Sequence, residues 1–328
     1  MTPEPALFPA PDTVYEDELP LSDIQLAPSG ATCCLRRGPG KAEVLVWPGL
    51  PRGRPATWTP EIHLPVQEAF GFDGTLLYAR TENGLLRIRP GAVETLYSTR
   101  NKVYHAVLSP DGTRLAWIER TRDWGFEGFM ATVEPALRPI RLEARDQCLR
   151  LGWLSDDELL IEHLQHKGEK VLGMSLAIHD RDGRLADRLL HTEAWRLELG
   201  AVDAARRAVY FFGYRNDNRA PGTSTENVGA WRLELGASPR LVCIGNEAPA
   251  GGTVALVASG CLWSDAALQG SDESTLVFSG PGRHRSAHIY GYSREFTVDA
   301  AGHTLLYRYF GARFAIRRFK VDALASAP

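Results

Sequence analysis

The chain has 328 residues, of which 44% are hydrophobic and 23% charged, with a formal net charge of −3. That is a globular composition, and it excludes a general attraction to nucleic acid, which needs a basic face that these totals lack. No run approaches the roughly 18 apolar residues that cross a bilayer as a helix.

The opening stretch, "MTPEPALFPAPDTVYEDELPLSD", has proline and acids where a secretory signal carries Lys or Arg ahead of an apolar run. A cytoplasmic protein without a membrane partner is expected. From residue 24 a pattern sets in: "IQLAPSGATCCLRR" is a short apolar strand, a small-residue turn, and a second strand. It returns as "EAFGFDGTLLYAR" from 68, "VLSPDGTRLAWIE" from 107, "LRLGWLSDDELLIEHL" from 149, "LELGAVDAARRAVYFFGY" from 197 and "FTVDAAGHTLLYRYF" from 296. In the copy at 107, Pro110 presets φ for a tight turn, and Asp111-Gly112 tolerate the positive φ that a hairpin needs.

Most copies continue into a third and a fourth strand, such as "GLLRIRPG" and "AVETLYS" after residue 83, or "GFMATVE" and "RPIRLEA" after residue 127. Short strands with turn signals at such spacing mean a sandwich, barrel or propeller. A four-strand unit repeating every 40 to 55 residues or about that selects the propeller. First strands begin near residues 23, 66, 103, 148, 195, 253 and 295, so the expected fold is all-β, a seven-bladed β-propeller. The segment 252–293 parses in two strand registers, which leaves six blades open. The last unit offers three strands, "EFTVDA", "HTLLYRYF" and "ARFAIRRFKVD". A bare sheet edge invites aggregation, so the stretch around "TVYEDE" is expected to supply the fourth strand. The resulting division is an N-terminal arm with the closing strand (1–22), the propeller (23–322) and a disordered tail (323–328). No helix-period segment of useful length appears.

The cysteines, Cys33, Cys34, Cys148, Cys243 and Cys261, fit neither zinc-ligand spacing nor a disulfide framework. They read as buried thiols, with Cys33 and Cys34 on opposite faces of one strand. His163 and His166, three apart on extended chain, point to opposite faces and make a poor metal pair. His284 and His288 share parity in a basic loop. "HDRDG" at 179–183 lacks the further ligands of a calcium loop and reads as a hairpin turn. "FAIRRFK" reads as a solvated edge carrying Arg317, Arg318 and Lys320. No metal and no cofactor is expected.

"LSPDGTRLAWIE" resembles the repeat of TolB-type propellers and of the prolyl-oligopeptidase propeller, notably its acylaminoacyl-peptidase branch. The following "RTRDWGFEGFMATV" is similar to the Trp-Asp-Gly stretch found there. The resemblance is carried by residues 105–133 and, as hairpin pattern, by 20–322. It implies a propeller that in those peptidases accompanies an α/β-hydrolase domain with a G-x-S-x-G serine. Here "GMSLA" around Ser175 and "GYSRE" around Ser293 lack the second glycine and lie in β contexts, so no catalytic serine is carried over.

Propeller geometry sorts loops by face. Loops between second and third strands emerge with the connections between blades; Pro-Asp-Gly-type turns emerge opposite. On the first face "TRDWGFEG", "LQHKGEK" and "YRNDNRAPGTSTENVG" are long, and long loops in compact domains tend to be functional. With the connections "RNKVYH", "TEAWR" and "SRE" they compose a candidate site of Tyr104, His105, Arg122, Trp124, Glu127, Trp195, Arg215, Asn216, Asp217 and Arg294. Arginine, acids and aromatics together suit a protein, a peptide or a polar ligand. The leading expectation is a standalone cytosolic binding or scaffold module. The alternative is an enzyme of hydrolase, lyase or lactonase type at the channel mouth, with His105, Tyr104 and Glu127 in acid-base roles. A third reading is a propeller that gates a separately encoded hydrolase.

Overall fold

The computed structural model describes residues 12–321 except 40, 63–65, 124, 135, 145, 168–169, 193–194, 216–226, 246–253, 258–259, 266–272, 281–282, 291–295, 300–301 and 311–312. Among the described residues the strands form seven four-stranded antiparallel sheets. Sheet 1 comprises Leu21–Leu26, Thr32–Gly38, Lys41–Trp47 and Ala56–Ile62; sheet 2 comprises Glu68–Phe72, Leu77–Thr81, Gly84–Arg89 and Ala92–Ser98. Sheet 3 holds Lys102–Leu108, Arg114–Arg120, Phe126–Thr132 and the two-residue Ile140–Arg141; sheet 4 holds Gln147–Trp153, Leu159–Lys167, Lys170–His179 and Leu185–Thr192. Sheet 5 is Trp195–Asp203, Ala208–Arg215, Asn227–Glu234 and Arg240–Gly245; sheet 6 is Val254–Val257, Gly260–Asp265, Glu273–Gly280 and Arg283–Tyr290. Sheet 7 takes Phe296–Val298, Thr304–Phe310 and Phe314–Lys320 from one end of the chain and Asp12–Asp17 from the other.

The first strands touch their neighbours in a closed cycle, from sheet 1 through sheet 7 and back to sheet 1, around a common axis. The fold is a β-propeller. No helix of the described residues is long and apolar enough to cross a membrane.

Burial explains why the second strands read as unbroken apolar runs rather than alternating ones. In sheet 3, Leu115 and Trp117 pack toward sheet 2 while Ala116 and Ile118 pack toward sheet 4. In sheet 5, Val209 and Phe211 join the sheet 4 side, and Tyr210 and Phe212 join the opposite side. Both faces of these two sheets are therefore core, as in any strand buried on two sides. Cys33 and Cys34 obey the same rule: both are fully buried, one toward sheet 2 and the other toward sheet 7. Cys148 is buried as well, but Cys243 is exposed, which corrects the expectation for that thiol.

Polar staples tie sheet to sheet. Arg37 donates to the carbonyls of Val66 and Gln67 at 2.6 and 3.1 Å, and Arg80 to that of Val103 at 3.0 Å. Arg150 donates to the Leu199 carbonyl at 2.9 Å and Arg308 to the Leu21 carbonyl at 3.3 Å. Carboxylates meet the same entry strands, Asp23 accepting from Ala69 N at 3.1 Å and Glu162 from Leu199 N at 2.7 Å. Buried Glu119 gathers Tyr97, Thr99, Asn101 and Trp117 as donors at 2.7, 2.9, 2.9 and 3.0 Å, fixing the connection into sheet 3.

The strand Phe314–Lys320 is not an edge. Asp12–Asp17 pairs along it, Arg318 bonds Asp12 at 2.7 Å, and Arg317 lies over the Tyr309 ring at 3.4 Å. The solvated edge expected for "FAIRRFK" is thus corrected, because the arm covers it. Tyr15 also packs edge-on against Trp47 of sheet 1, at 5.1 Å between ring centres, so the arm bridges two sheets. Deleting residues 1–20 should lower the melting temperature by more than about 5 °C, the loss of about 3 kcal/mol or more at about 1.5 °C per kcal/mol in a chain of this size. An unchanged transition in differential scanning calorimetry would show that the arm contributes nothing to closure.

Candidate functional site

Sheet 3 opens with a β-bulge. Val103 pairs with Glu119 and His105 with Ile118, which leaves Tyr104 as the extra residue. A bulge re-aims the side chain it carries, here at the mouth of the long-loop face. Tyr104 is 51% exposed and packs edge-on against Phe126, with 5.2 Å between ring centres. Phe126 begins the third strand just after the 121–125 loop, in which Arg122 is exposed. Glu127 follows and pairs with Arg141 at 2.7 Å.

Phe126, Glu127 and Arg141 border a cavity of about 340 Å³ between sheets 3 and 4, lined also by Asp123, Gln147, Cys148 and Leu164 among others. Ala144 and Asp146 are shared with an adjoining cavity of about 260 Å³ that also meets Glu143, His163, Ser175 and Arg188. The larger cavity of about 680 Å³ lies on the opposite face, around Ser109-Pro110-Asp111-Gly112 and Phe70, Phe72 and Tyr78. The turn side is therefore less plain than its sequence implies.

The structure treats the predicted residues unequally. Tyr104 touches Phe126, which precedes Glu127 on the third strand of sheet 3. His105 is partly buried; its Nδ1 is sealed from solvent without a hydrogen-bond partner among the described residues. Burial pushes its pKa down to about 4, with Arg150 and Arg80 adding to the effect. Trp195 and Arg215 are backbone partners across sheet 5. Trp124, Asn216, Asp217 and Arg294 lie outside the described residues.

Sequence reasoning missed a polar cluster on the sheet 4 face that meets sheet 3. His163, Ser175 and His179 are buried there beside apolar Leu159 and Ile161. His163 pairs in register with Ser175, and His179 with Leu159, so small Ala177 lies between the two rings. Their Nε2 atoms are 3.3 Å apart. His179 Nδ1 is 3.2 Å from the Gly183 carbonyl, which only accepts, so that nitrogen carries the proton. His163 must then donate through Nε2, and its Nδ1 faces Cys148 Sγ at 4.0 Å as an acceptor. Burial, reinforced by His179, holds His163 at a pKa of about 4; burial also lowers His179 and raises Cys148 to about 12. Two neutral rings and a neutral thiol are thus aligned in one direction. The turn Asp180–Gly183, with Gly183 at φ 78°, is the hairpin expected there. No group of three or more metal-ligating side chains occurs among the described residues.

No family model matches this sequence, and no curated protein does. The fold has clear structural counterparts. The tricorn protease superposes with a TM-score of 0.66 at 12% identity, over 97% of this chain and 34% of the protease. The chain thus spans about a third of that protein's length. Virginiamycin B lyase from Staphylococcus aureus gives 0.60 at 12% identity, over 94% of this chain and 97% of the lyase. The Pan2 WD40 domain of Neurospora crassa gives 0.57 at 11%, over 92% and 89%. At such identities the likeness defines a β-propeller and nothing narrower.

The buried histidines set a pH dependence. The unfolded chain takes up their protons near pH 6.5 whereas the folded chain resists until about 4, for His105 and His163 alike. Their stabilising contribution is complete above pH 6.5 and is lost as pH falls toward 4. Calorimetry from pH 8 to 4 should show a melting temperature that drops through this window, and a shallower drop in a His105→Asn, His163→Gln double variant. Identical slopes in the two proteins would refute the assignment.

Proposed function

We propose that this propeller is a cytoplasmic binding or scaffold module that holds a protein or peptide on its long-loop face, at the cleft between sheets 3 and 4. The observation that carries the reading is Tyr104, thrust out by its bulge, half exposed, and packed edge-on against Phe126, next to the Glu127–Arg141 pair and a cavity of about 340 Å³. An aromatic anchor and an arginine beside a concavity are the usual makings of a recognition hot spot. Arg122, exposed in the loop just before Phe126, extends the same face.

The TolB-like and prolyl-oligopeptidase-like character of residues 105–133 supports a propeller that works beside another protein, a separately encoded hydrolase being one candidate. The tricorn protease contains a comparable propeller as part of a larger chain, in keeping with that idea. An enzymatic reading needs His105, Tyr104 and Glu127 around one substrate. It is weaker here, because His105 Nδ1 is sealed in and Glu127 is engaged by Arg141.

Recovery of partners from a cell extract by the wild-type chain, compared with a Tyr104→Ala, Arg141→Ala variant, tests the reading. A loss of at least about tenfold, or about 1.4 kcal/mol, is expected for the partner that docks here. Equal recovery of every partner would remove this face from consideration.

A further inference from the structure

Most side chains between the described sheets are Leu, Ile, Val, Ala or aromatic. The sheet 3–sheet 4 interface departs from this. On the sheet 4 side, His163 is 5% exposed and Ser175 3%, in line with apolar Leu159 and Ile161. Placing polar groups where packing alone would favour another leucine costs stability, and such local departures from the rule tend to mark function.

Above these two residues lies the cavity of about 260 Å³, and its walls are charged with both signs. Glu143 and Asp146 come from the connection between the two sheets, and Arg188 from the outer strand of sheet 4. Asp146 accepts from Gln165 through Oδ2 at 3.0 Å, and Glu143 from Leu185 N through Oε2 at 3.3 Å; each keeps its second oxygen. The Arg188 guanidinium makes no ion pair or side-chain hydrogen bond among the described residues. A cation and two carboxylates thus face one small space without neutralising one another. Arg188 and Asp146 both lie close enough to His163 to act on its charge in opposite senses. The floor itself stays neutral, because the Cys148–His163–His179–Gly183 chain fixes every proton in place.

From this arrangement we propose that the cavity is a binding site for a small zwitterion, a free amino acid or a dipeptide. Its ammonium sits against Glu143 and Asp146, and its carboxylate meets Arg188. Ala144 and Leu185 form an apolar lip, and Ala177 an apolar spot in the floor, suited to a short aliphatic side chain. A dicarboxylate would be repelled by the two acids and a diamine by Arg188, whereas a zwitterion satisfies all three groups. The inference goes beyond the docking role of Tyr104 and does not rest on it.

Isothermal titration calorimetry on the whole chain tests it with leucine, alanyl-leucine, N-acetyl-leucine and leucinamide as probes. Leucine or alanyl-leucine should bind saturably, and the tighter of the two identifies the source. The acetylated and amidated forms should bind at least tenfold more weakly. Arg188→Gln should abolish the preference for a free carboxylate over the amide, Asp146→Asn the preference for a free amine, and Tyr104→Ala should change neither. The proposal is overturned by no saturable binding of leucine or alanyl-leucine, or by blocked probes that bind as well as free ones. Variants at Arg188 and Asp146 that bind like wild type overturn it too. Partner recovery that depends on Tyr104 but persists without zwitterion binding would sink this proposal alone. Zwitterion binding without such recovery would sink only the docking role.

Discussion

What the rest of the molecule depends on is that no sheet in it can bury its own second strand. Trp117 needs sheet 2, Ile118 needs sheet 4, and each neighbour is in the same position. A single four-stranded unit would leave one apolar face wet, and a row of them would leave two; a ring leaves none. The hydrophobic term is non-directional and does not by itself fix the angle between neighbours. The arginine donors to the next sheet's entry carbonyls do so. They act where backbone groups at a sheet's inner edge would otherwise be unsatisfied. Arg37, Arg80, Arg150 and Arg308 occur in four different sheets and solve the same problem with the same chemistry.

Much of this was legible in the chain. Apolar runs such as "LAWI" and "VYFF", punctuated by Gly and Asp turns, are a direct record of two-sided burial, and first-strand starts lay within two residues of those observed. The pairing of Asp12–Asp17 with Phe314–Lys320 followed from the missing strand of the last unit. The site was far less legible. Tyr104 was named for its neighbourhood, but its exposure comes from a bulge, which is a matter of register across strands and not of local sequence. His105, one residue on, is partly buried where Tyr104 is exposed, a difference that local sequence does not announce. The His163–His179 contact joins the ends of a hairpin whose pairing cannot be counted until its register is known. Scanning one strand at a time sets His163 beside His166 and misses the true partner.

The cleft between sheets 3 and 4 is also where the outer layer is thinnest. The fourth strand of sheet 3 is only Ile140–Arg141, against eight residues in sheet 4. The connection 142–146 then leaves the sheet and crosses toward the sheet 4 turn, where Glu143 N bonds the Gly183 carbonyl at 2.7 Å. A short outer strand thereby frees acidic side chains to line a cavity that a full-length strand would have closed. Geometry at the rim and polarity at the core have a common origin in this one shortened element.

The pairing of the arm with the last strand has a bearing on how the protein is made. The segment Asp12–Asp17 leaves the ribosome long before Phe314–Lys320, its ladder partner. At 5 to 20 residues per second, roughly 15 to 60 s of synthesis separate them. Throughout that interval Tyr15 and its neighbours are a stray strand in search of an edge, alongside a growing stack of sheets whose outermost face is always bare. The seam that seals the finished ring is thus the last contact to form, and a nascent chain is most in need of protection at its two ends.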